Sequence, residues 1–395
     1  MPTLDLKTAL HDVSALLKHF KKTDPRYADV RLPIVSREQF QQLPVVARDE
    51  MRRFNPVQGL SAAHNVTATS GSTAERLTIV HSKECYEAHL KRLVRIYQGI
   101  GMNKKDLCLN LCAYSLNSGG RLMEQAYKAA GCGVIPCGVF DTPEQLDEAV
   151  TLIKALKPTI VNAYTNQLFD LFSKLGKRHS IRRCVVNGEP LWPAYKKQIE
   201  HLGGVKVFDH YGAMEVSGFA IAVDAQDAYM KIFDDGLMLE VLAEDGRAGD
   251  TGIGALLVTD LNNTCMPFIR YKLGDQVDMI RRGRSRFIRV LGRLNDTILI
   301  DGEILSVSAM REAAHCVLGH PDFFFTIDKD PVTYKDRVVL YVADGRTPRL
   351  DVVLNAVGST LGLSGRLSCQ PWKNDMPKTS TGKRRQVIDR REGRA

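Results

Sequence analysis

The chain has 395 residues, of which 44% are hydrophobic and 25% are charged, and its formal net charge is +9. The length suits two domains with a sizeable buried core, and the longest apolar runs, such as residues 254–258, are far shorter than the ~20 residues of a membrane-spanning helix. Much of the positive charge lies in segments 281–286 and 383–394, without the aromatic-interleaved basic stripe of nucleic-acid binders. It therefore favours an anionic small molecule or an acidic partner over nucleic acid.

Neither the first residues nor the cysteines point to export. The start of the sequence lacks the basic region and apolar stretch of a signal peptide. Nine cysteines are scattered along the chain without a Cys-x-x-Cys pair or a nearby Cys/His quartet, which predicts free thiols rather than a metal centre. We therefore expect a cytoplasmic protein.

The predicted elements change character three times along the chain. Residues 1–60 indicate helices, one of them beginning at a capping box in which Ser36 and Gln39 have the required spacing. From 60 to 210, short apolar runs alternate with amphipathic stretches such as 143–156, which is typical of a parallel sheet covered by helices. From 228 to 290, shorter segments with turn residues indicate an antiparallel, barrel-like subdomain, and after 292 the pattern resets into short strands and helices.

These changes predict an α/β protein with two domains. Residues 1–292 would form a large N-terminal domain of mixed and parallel sheets with helices and a barrel-like subdomain. Residues 293–395 would form a small α+β C-terminal domain.

Four segments carry residues suited to chemistry. Residues 67–73 are small, hydroxyl-bearing or glycine, so that backbone N–H groups and hydroxyls can converge on an anion, although no Gly-Lys-Ser/Thr follows as in a P-loop. Residues 208–215 follow a predicted strand, where ligands of open α/β sheets bind, and end on Glu215. In 259–275, Asp275 is suited to accept hydrogen bonds from vicinal hydroxyls, and the loop 376–383 presents Lys383. Taken singly, each of these segments is also compatible with an ordinary turn or a solvated tail.

The order and spacing of these segments resemble the motif series of the adenylate-forming superfamily, which includes acyl- and aryl-CoA ligases, peptide-synthetase adenylation domains and luciferase. The matching segments are 69–73, 187–191, 210–215, 267–275, 292–296 and 377–383. The resemblance covers the chain from about residue 30 onward, and residues 32–40 resemble the opening of the phenylacetate–CoA ligase branch.

The resemblance implies roles for individual residues. Tyr211 would stack on adenine, Asp275 would hold the ribose, Glu215 would coordinate Mg²⁺, and the catalytic Lys383 would bridge the acid and phosphate oxygens. The residues implied around ATP are Ser70, Gly71, Ser72, Thr73, Gly188, Glu189, Pro190, Asp209, His210, Tyr211, Gly212, Asp275 and Arg293. The acid pocket would be lined by Asn162, Tyr164, Gly212 and Ala213, and the C-terminal domain would move about a hinge at Asn295.

Two positions depart from the family's motifs. The phosphate loop continues with Ala74 where the family usually has glycine, and Met214 replaces a threonine whose hydroxyl is expected near the α-phosphate. Losing one hydrogen bond to a charged group costs about 1.5–3 kcal/mol, which would slow the reaction roughly 10- to 100-fold.

The implied function is ATP-dependent ligation of a small carboxylic acid, aromatic or polar rather than a long fatty chain. The acid would be activated as acyl-AMP and its acyl group passed to a thiol, foremost that of coenzyme A. The alternatives are transfer to the thiol of an acyl carrier protein, transfer to an amine, or a nucleotide-binding protein that has lost the chemistry.

Overall fold

The computed structural model describes residues 5–54, 60–69, 76–116, 119–189, 191–224, 227–294, 296–301, 303–330, 332–333, 335–344, 349–377 and 384–391. Residue contacts divide the chain into two units. The first comprises Met1–Tyr164, His179–Gly188 and Lys206–Gly292, and the second Thr165–Arg178, Glu189–Val205 and Arg293–Ala395. The domain division into 1–292 and 293–395 remains a prediction, from which these contact units differ by the segments 165–178 and 189–205.

Some helices of the first unit precede its first strand, and the others alternate with short strands. The helices are α1 (Leu6–Phe20), α2 (Arg37–Gln41), α3 (Arg48–Arg52), α4 (Lys83–Gly99), α5 (Gly120–Ala129) and α6 (Pro143–Leu156). Ser36 caps α2 as predicted, because its Oγ accepts the Gln39 N–H at 3.3 Å, but Gln39 Oε1 accepts the Val35 N–H at 2.8 Å instead of the Ser36 N–H of a full capping box. Helix α6 has the predicted bounds and begins with a capping box at Thr142.

A twelve-stranded sheet organises the first unit, in the order β11-β10-β12-β13-β14-β9-β8-β7-β6-β5-β3-β4. Its strands are β3 (Leu107–Asn110), β4 (Gly133–Pro136), β5 (Ile160–Ala163), β6 (Arg183–Asn187), β7 (Lys206–Ala213), β8 (Ser217–Ile221), β9 (Met230–Ile232), β10 (Leu237–Leu242), β11 (Ala248–Gly249), β12 (Gly252–Asp260), β13 (Tyr271–Arg282) and β14 (Ser285–Arg293). A separate hairpin pairs β1 (Asn65–Ala68) with β2 (Thr78–His81).

The sheet changes from parallel to antiparallel at β7. Strands β3 to β7 pair in parallel, and β7 to β9 pair antiparallel. The predicted α/β class is confirmed, and the predicted antiparallel region corresponds to β9–β14. These strands continue the parallel strands in one sheet.

The second unit contains a four-stranded sheet, ordered β19-β18-β17-β20, and a hairpin of β15 and β16. Its elements are α7 (Thr165–Leu175), α8 (Pro193–Gly203), β15 (Thr297–Ile300), β16 (Glu303–Ser306), α9 (Val307–Leu318), β17 (Phe323–Lys329), β18 (Asp336–Ala343), α10 (Leu350–Thr360), β19 (Leu367–Trp372) and β20 (Val387–Asp389). Strands β17 and β18 form its core with α9 and α10, through residues such as Met310, Phe325 and Val353.

All nine cysteines are free thiols, and six of them are buried. The prediction of unpaired cysteines is therefore confirmed. Among the described residues, no helix is both long and apolar enough to cross a membrane.

Candidate active site

Two of the motifs meet through reciprocal hydrogen bonds between tyrosines and carboxylates. The Tyr211 hydroxyl donates to Asp275 Oδ2 at 2.7 Å, and the Tyr271 hydroxyl donates to Glu215 Oε1 at 3.0 Å. Tyr211 lies on β7, whereas Tyr271 and Asp275 lie on β13. The segments 208–215 and 267–275 therefore form one site.

The hydrogen bond between Tyr211 on β7 and Asp275 on β13 requires a strongly curved sheet. Strands β7 and β13 are separated by β8, β9 and β14, so in a flat sheet they would lie about 19 Å apart, at about 4.8 Å per strand. Side chains on them can hydrogen-bond only if the sheet bends back on itself. A barrel-like subdomain, as the sequence predicts, requires a sheet curved in this way.

The two carboxylates are buried and oriented. Glu215 and Asp275 are each 5% exposed, and a buried carboxylate needs hydrogen bonds or a cation to replace its hydration. Each tyrosine supplies one such hydrogen bond and fixes the plane of its carboxylate. The arrangement suits Asp275 to accept further hydrogen bonds from hydroxyls of a ligand, and Glu215 to offer carboxylate oxygen to a hard cation.

The β7–β8 hairpin that carries Glu215 depends on close backbone packing. A Cβ atom on Gly212 would lie 2.4 Å from both the Gly218 Cα and the Ser217 carbonyl oxygen, which is too close for any side chain. The pairing shifts register between Tyr211 and Gly212, and Ser217 has a φ of +63°. The tight hairpin thus explains the glycine after Tyr211 and sets the position of Glu215.

Strand β13 is fixed at its first residues by a buried arginine. Arg270 is 3% exposed; its Nε donates to Glu240 Oε2 at 3.1 Å and its Nη1 to the Leu43 carbonyl at 2.7 Å. Because a buried arginine is tolerated only when paired and hydrogen-bonded, these contacts hold the start of β13. Tyr271 and Asp275 therefore enter the site from a fixed strand.

A row of asparagines joins the carboxyl ends of three parallel strands. Asn187 Nδ2 donates to Asn162 Oδ1 at 2.9 Å, Asn162 Nδ2 donates to Asn110 Oδ1 at 2.9 Å, and Asn110 Nδ2 donates to the Tyr114 hydroxyl at 2.8 Å. Asn162 has no exposed surface, and its amide engages protein on both sides. These hydrogen bonds suit a supporting role for Asn162. Its contact with the acid remains a prediction.

His210 does not join Tyr211 in the site. Along β7, Asp209 and Tyr211 are half-buried, whereas His210 between them is buried on the opposite face of the strand. Its ring lies edge-on to Tyr97 of α4, with centroids 5.7 Å apart. Burial, and to a smaller extent the charge of Arg92, lowers the pKa of His210 to about 4. The predicted role of His210 at ATP is thus not supported for its side chain, because alternation along a strand sends it away from Tyr211.

The second unit contains two further pieces of the predicted machinery. Glu189 Oε2 accepts the backbone N–H of Thr165 at 3.1 Å, so it caps the first turn of α7. Arg384, the neighbour of Lys383, lies 3.0 Å from Asp170 and 2.7 Å from Asp322. Burial lowers the pKa of Arg384, but the two carboxylates raise it more. The chain directly after Lys383 is therefore held by an ion-pair network.

The remaining predicted residues are placed as follows. Gly188 ends β6 with a φ of +73°, Tyr164 is buried, Asp209 and Ala213 are half-buried, and Arg293 is exposed at the end of β14. Ser70, Gly71, Ser72, Thr73, Ala74, Pro190, Asn295 and Lys383 lie outside the described residues.

Met214, which stands where the family has threonine, is half-buried and packs against the apolar core of the first unit. The substitution thus exchanges a hydroxyl for an apolar contact.

The sequence motifs did not identify Tyr271 as a partner of Glu215, although its spacing from Asp275 could have indicated a place in the site. Residues 271 and 275 are four apart, which in a regular strand places them on the same side, and the burial of alternate residues along β13 begins at Tyr271. A tyrosine sharing a face with a predicted ligand-binding aspartate is a candidate member of the same site.

No protein-family model matches the chain, but individual proteins are similar to it in sequence. The phenylacetate–coenzyme A ligase of Thermus thermophilus is 26% identical over 286 residues, which are 67% of this chain and 63% of that protein. The Escherichia coli phenylacetate–coenzyme A ligase is 25% identical over 261 residues, or 62% of this chain and 59% of that protein. The chain thus spans about three fifths of the length of these relatives.

Solved structures share the fold over most of the chain. A 2-hydroxyisobutyryl-CoA ligase in its postadenylation state, complexed with 2-HIB-AMP, matches with a TM-score of 0.83 and 20% identity, covering 99% of this chain and 91% of that protein. The same enzyme in its thioesterification state, with 2-HIB-AMP and CoA, gives a TM-score of 0.68 at 21% identity, covering 98% and 91%. The amide bond synthetase McbA of Marinactinospora thermotolerans gives 0.59 at 20% identity, covering 82% and 67%.

Proposed function

We propose that the chain, whose sequence resembles phenylacetate–coenzyme A ligases and whose fold is shared with a 2-hydroxyisobutyryl-CoA ligase, is an adenylate-forming ligase that activates a small carboxylic acid with ATP and transfers the acyl group to coenzyme A. In the first step, a carboxylate oxygen of the acid attacks the α-phosphorus of ATP, and the bond to pyrophosphate breaks. In the second, the thiol sulfur attacks the acyl carbon, AMP leaves and the thiol proton is released.

The observation that carries this proposal is the pair of tyrosine–carboxylate contacts at Glu215 and Asp275. The two motifs are more than 50 residues apart in sequence, yet they place two oriented, buried carboxylates in one site. Asp275 is suited to hold the ribose hydroxyls, and Tyr211 beside it to lie against the adenine.

The carboxylate of Glu215 is suited to bind Mg²⁺. Mg²⁺ prefers oxygen ligands and usually takes one or two carboxylates together with nucleotide phosphates, and Glu215 offers such a carboxylate, oriented by Tyr271. When bound, the ion would offset the charge that builds on pyrophosphate as it leaves. We assign the phosphate contacts to Ser70, Gly71, Ser72 and Thr73.

Lys383 would neutralise charge on the reacting oxygens during adenylation, since a flexible ammonium can follow a developing negative charge. Arg384, held by Asp170 and Asp322, would fix the chain next to it. Acyl transfer would follow movement of the C-terminal domain about Asn295.

The acid is proposed to be small and aromatic or polar, with Tyr164 and Ala213 beside it. A carrier-protein thiol and an amine are the alternative acceptors, and the amide bond synthetase that shares the fold makes the amine the second candidate. A cytoplasmic location is proposed because unpaired thiols suit a reducing compartment.

The test is pyrophosphate release from ATP and Mg²⁺ across a panel of aryl and short aliphatic acids, with coenzyme A, with amines and with neither. Release stimulated by one acid, together with thioester formation, is the expected result. Products formed with amines but not with coenzyme A would favour the amide synthetase. Tight ATP binding without release for any acid would refute the ligase and leave a nucleotide-binding protein without this chemistry.

A further inference from the structure

A second cluster of side chains suited to chemistry lies buried in the first unit, on three different elements. His81 ends β2, Cys85 and His89 lie one turn apart on α4, and Asp260 ends β12. Their exposed fractions are 4%, 0%, 1% and 1%, respectively. No step of the proposed reaction uses any of these four residues.

Three of the distances within the cluster are close to those of a tetrahedral metal centre. Cys85 Sγ lies 3.4 Å from His89 Nε2 and 3.3 Å from Asp260 Oδ2, and these last two atoms are 2.9 Å apart. A ring nitrogen of His81 lies within 4.8 Å of the ligand atoms of Cys85 and His89. Zinc bonds of 2.0–2.3 Å at tetrahedral angles would separate such atoms by about 3.3–3.5 Å. Cys85, His89 and Asp260 thus need only small movements to surround an ion, and the ring of His81 would move towards them.

Hydrogen bonds between these side chains do not satisfy all of their buried polar atoms. The Cys85 thiol and one His89 N–H can both donate to Asp260, which accounts for three of the four side chains. Nε2 of His81, although buried, makes no hydrogen bond among the described residues, even though the carbonyls of Met214 and Glu215 lie near enough to influence the ring. An unsatisfied buried polar group costs about 1–3 kcal/mol, and a metal bond would remove that cost.

Charge and surrounding contacts also favour an ion. A thiolate and a carboxylate neutralise a divalent cation, so the metal-bound cluster would carry no net charge beside the buried Arg92. The second carboxylate oxygen, Asp260 Oδ1, accepts the Asn262 N–H at 2.9 Å, the kind of outer contact that orients metal ligands. Two imidazoles, one thiolate and one carboxylate suit zinc better than magnesium or calcium.

We propose that His81, Cys85, His89 and Asp260 form a structural zinc site. Four protein ligands fill a tetrahedral shell and leave no open position, so the ion would link β2, α4 and β12 rather than catalyse a reaction. Because the ring of His81 lies beside the backbone of Met214 and Glu215, the ion would also steady the hairpin that carries Glu215. The site does not depend on the proposed ligase activity.

Metal content and a cobalt spectrum test this proposal. Tag-free protein, purified without chelators, should contain about one zinc per chain by plasma mass spectrometry. After removal of the zinc and addition of Co²⁺, a thiolate-to-cobalt charge-transfer band and the visible bands of tetrahedral Co²⁺ should appear. Cys85→Ala should abolish the charge-transfer band and should lower the zinc content per chain by at least nine tenths. Cys108→Ala is the matched control, because Cys108 is equally buried but lies in β3, and it should retain both.

Two outcomes would overturn the proposal. One is wild-type protein with neither zinc nor the thiolate–cobalt band. The other is a band that persists in Cys85→Ala, because the thiol would then come from another cysteine. Should Cys85→Ala not fold, His81→Asn replaces it: the variant should lose zinc and the tetrahedral cobalt bands, and retention of both would likewise refute the site.

Discussion

Removing one hydroxyl group tests whether Tyr271 orients the carboxylate proposed to hold Mg²⁺. In Tyr271→Phe the aromatic ring stays in the core, but Glu215 loses the donor that lies 3.0 Å from its Oε1. A hydrogen bond to a charged group contributes about 1.5–3 kcal/mol, and both groups are buried, so solvent cannot replace it fully. If the contact matters most when pyrophosphate leaves, adenylation should slow about 10- to 100-fold.

The assay is acid-dependent pyrophosphate release as a function of Mg²⁺ concentration. Besides the slower maximal rate, we expect the Mg²⁺ concentration for half-maximal rate to rise, because a poorly oriented carboxylate binds the ion less well. ATP affinity measured without Mg²⁺ should change little, since the ribose contact at Asp275 is intact.

A matched control lies close by in the same unit. The Tyr229 hydroxyl donates to Asp278 Oδ2 at 2.6 Å, and Asp278 lies on β13 like Asp275, but neither residue belongs to the proposed site. Tyr229→Phe deletes the same kind of hydrogen bond and should leave the rate and the Mg²⁺ dependence unchanged. If Tyr271→Phe behaves like this control, Glu215 does not hold the ion in the proposed way.

Four further changes test other parts of the site, and a fifth tests how the stability of the fold depends on pH. Asp275→Ala should raise the dissociation constant for ATP about 10- to 100-fold through lost ribose hydrogen bonds, and unchanged ATP affinity would mean that the ribose assignment is wrong. Lys383→Ala should block adenylation but spare transfer from preformed acyl-AMP, and Arg384→Met should do the same more weakly; equal loss of both half-reactions would contradict these roles. Met214→Thr should speed adenylation several-fold if its hydroxyl reaches the α-phosphate, and an unchanged single-turnover rate would exclude that contact. Because the pKa of His210 is about 4 when folded and about 6.5 when unfolded, its neutral form stabilises the fold above pH 6.5, and this residue alone should lower the unfolding free energy by about 2 kcal/mol between pH 7 and pH 5. Other buried histidines with a lowered pKa, such as His315, add to the total fall. In chemical denaturation, His210→Asn should therefore show a fall about 2 kcal/mol smaller than the wild type, and an equal fall would exclude His210 as a source.

Local patterns in the sequence determined much of the secondary structure. Helix α6 has the predicted bounds, and Ser36 caps α2 as predicted through the Gln39 N–H. These features depend on periodicity and on contacts within one or two turns, which neighbouring residues encode directly. The motif resemblance likewise identified segments 208–215 and 267–275 as parts of one site.

Only the tertiary structure decided how side chains from distant segments meet. Tyr211 reaches Asp275 because the sheet between β7 and β13 curves, and His210 turns away because it lies on the other face of β7. In the proposed zinc site, His81, Cys85 and His89 are close in sequence, but Asp260 lies 171 residues after His89, and the sequence pattern predicted no metal centre there. Such contacts are set by the curvature of a sheet and the packing of a helix against it, and a residue's sequence neighbours do not specify either.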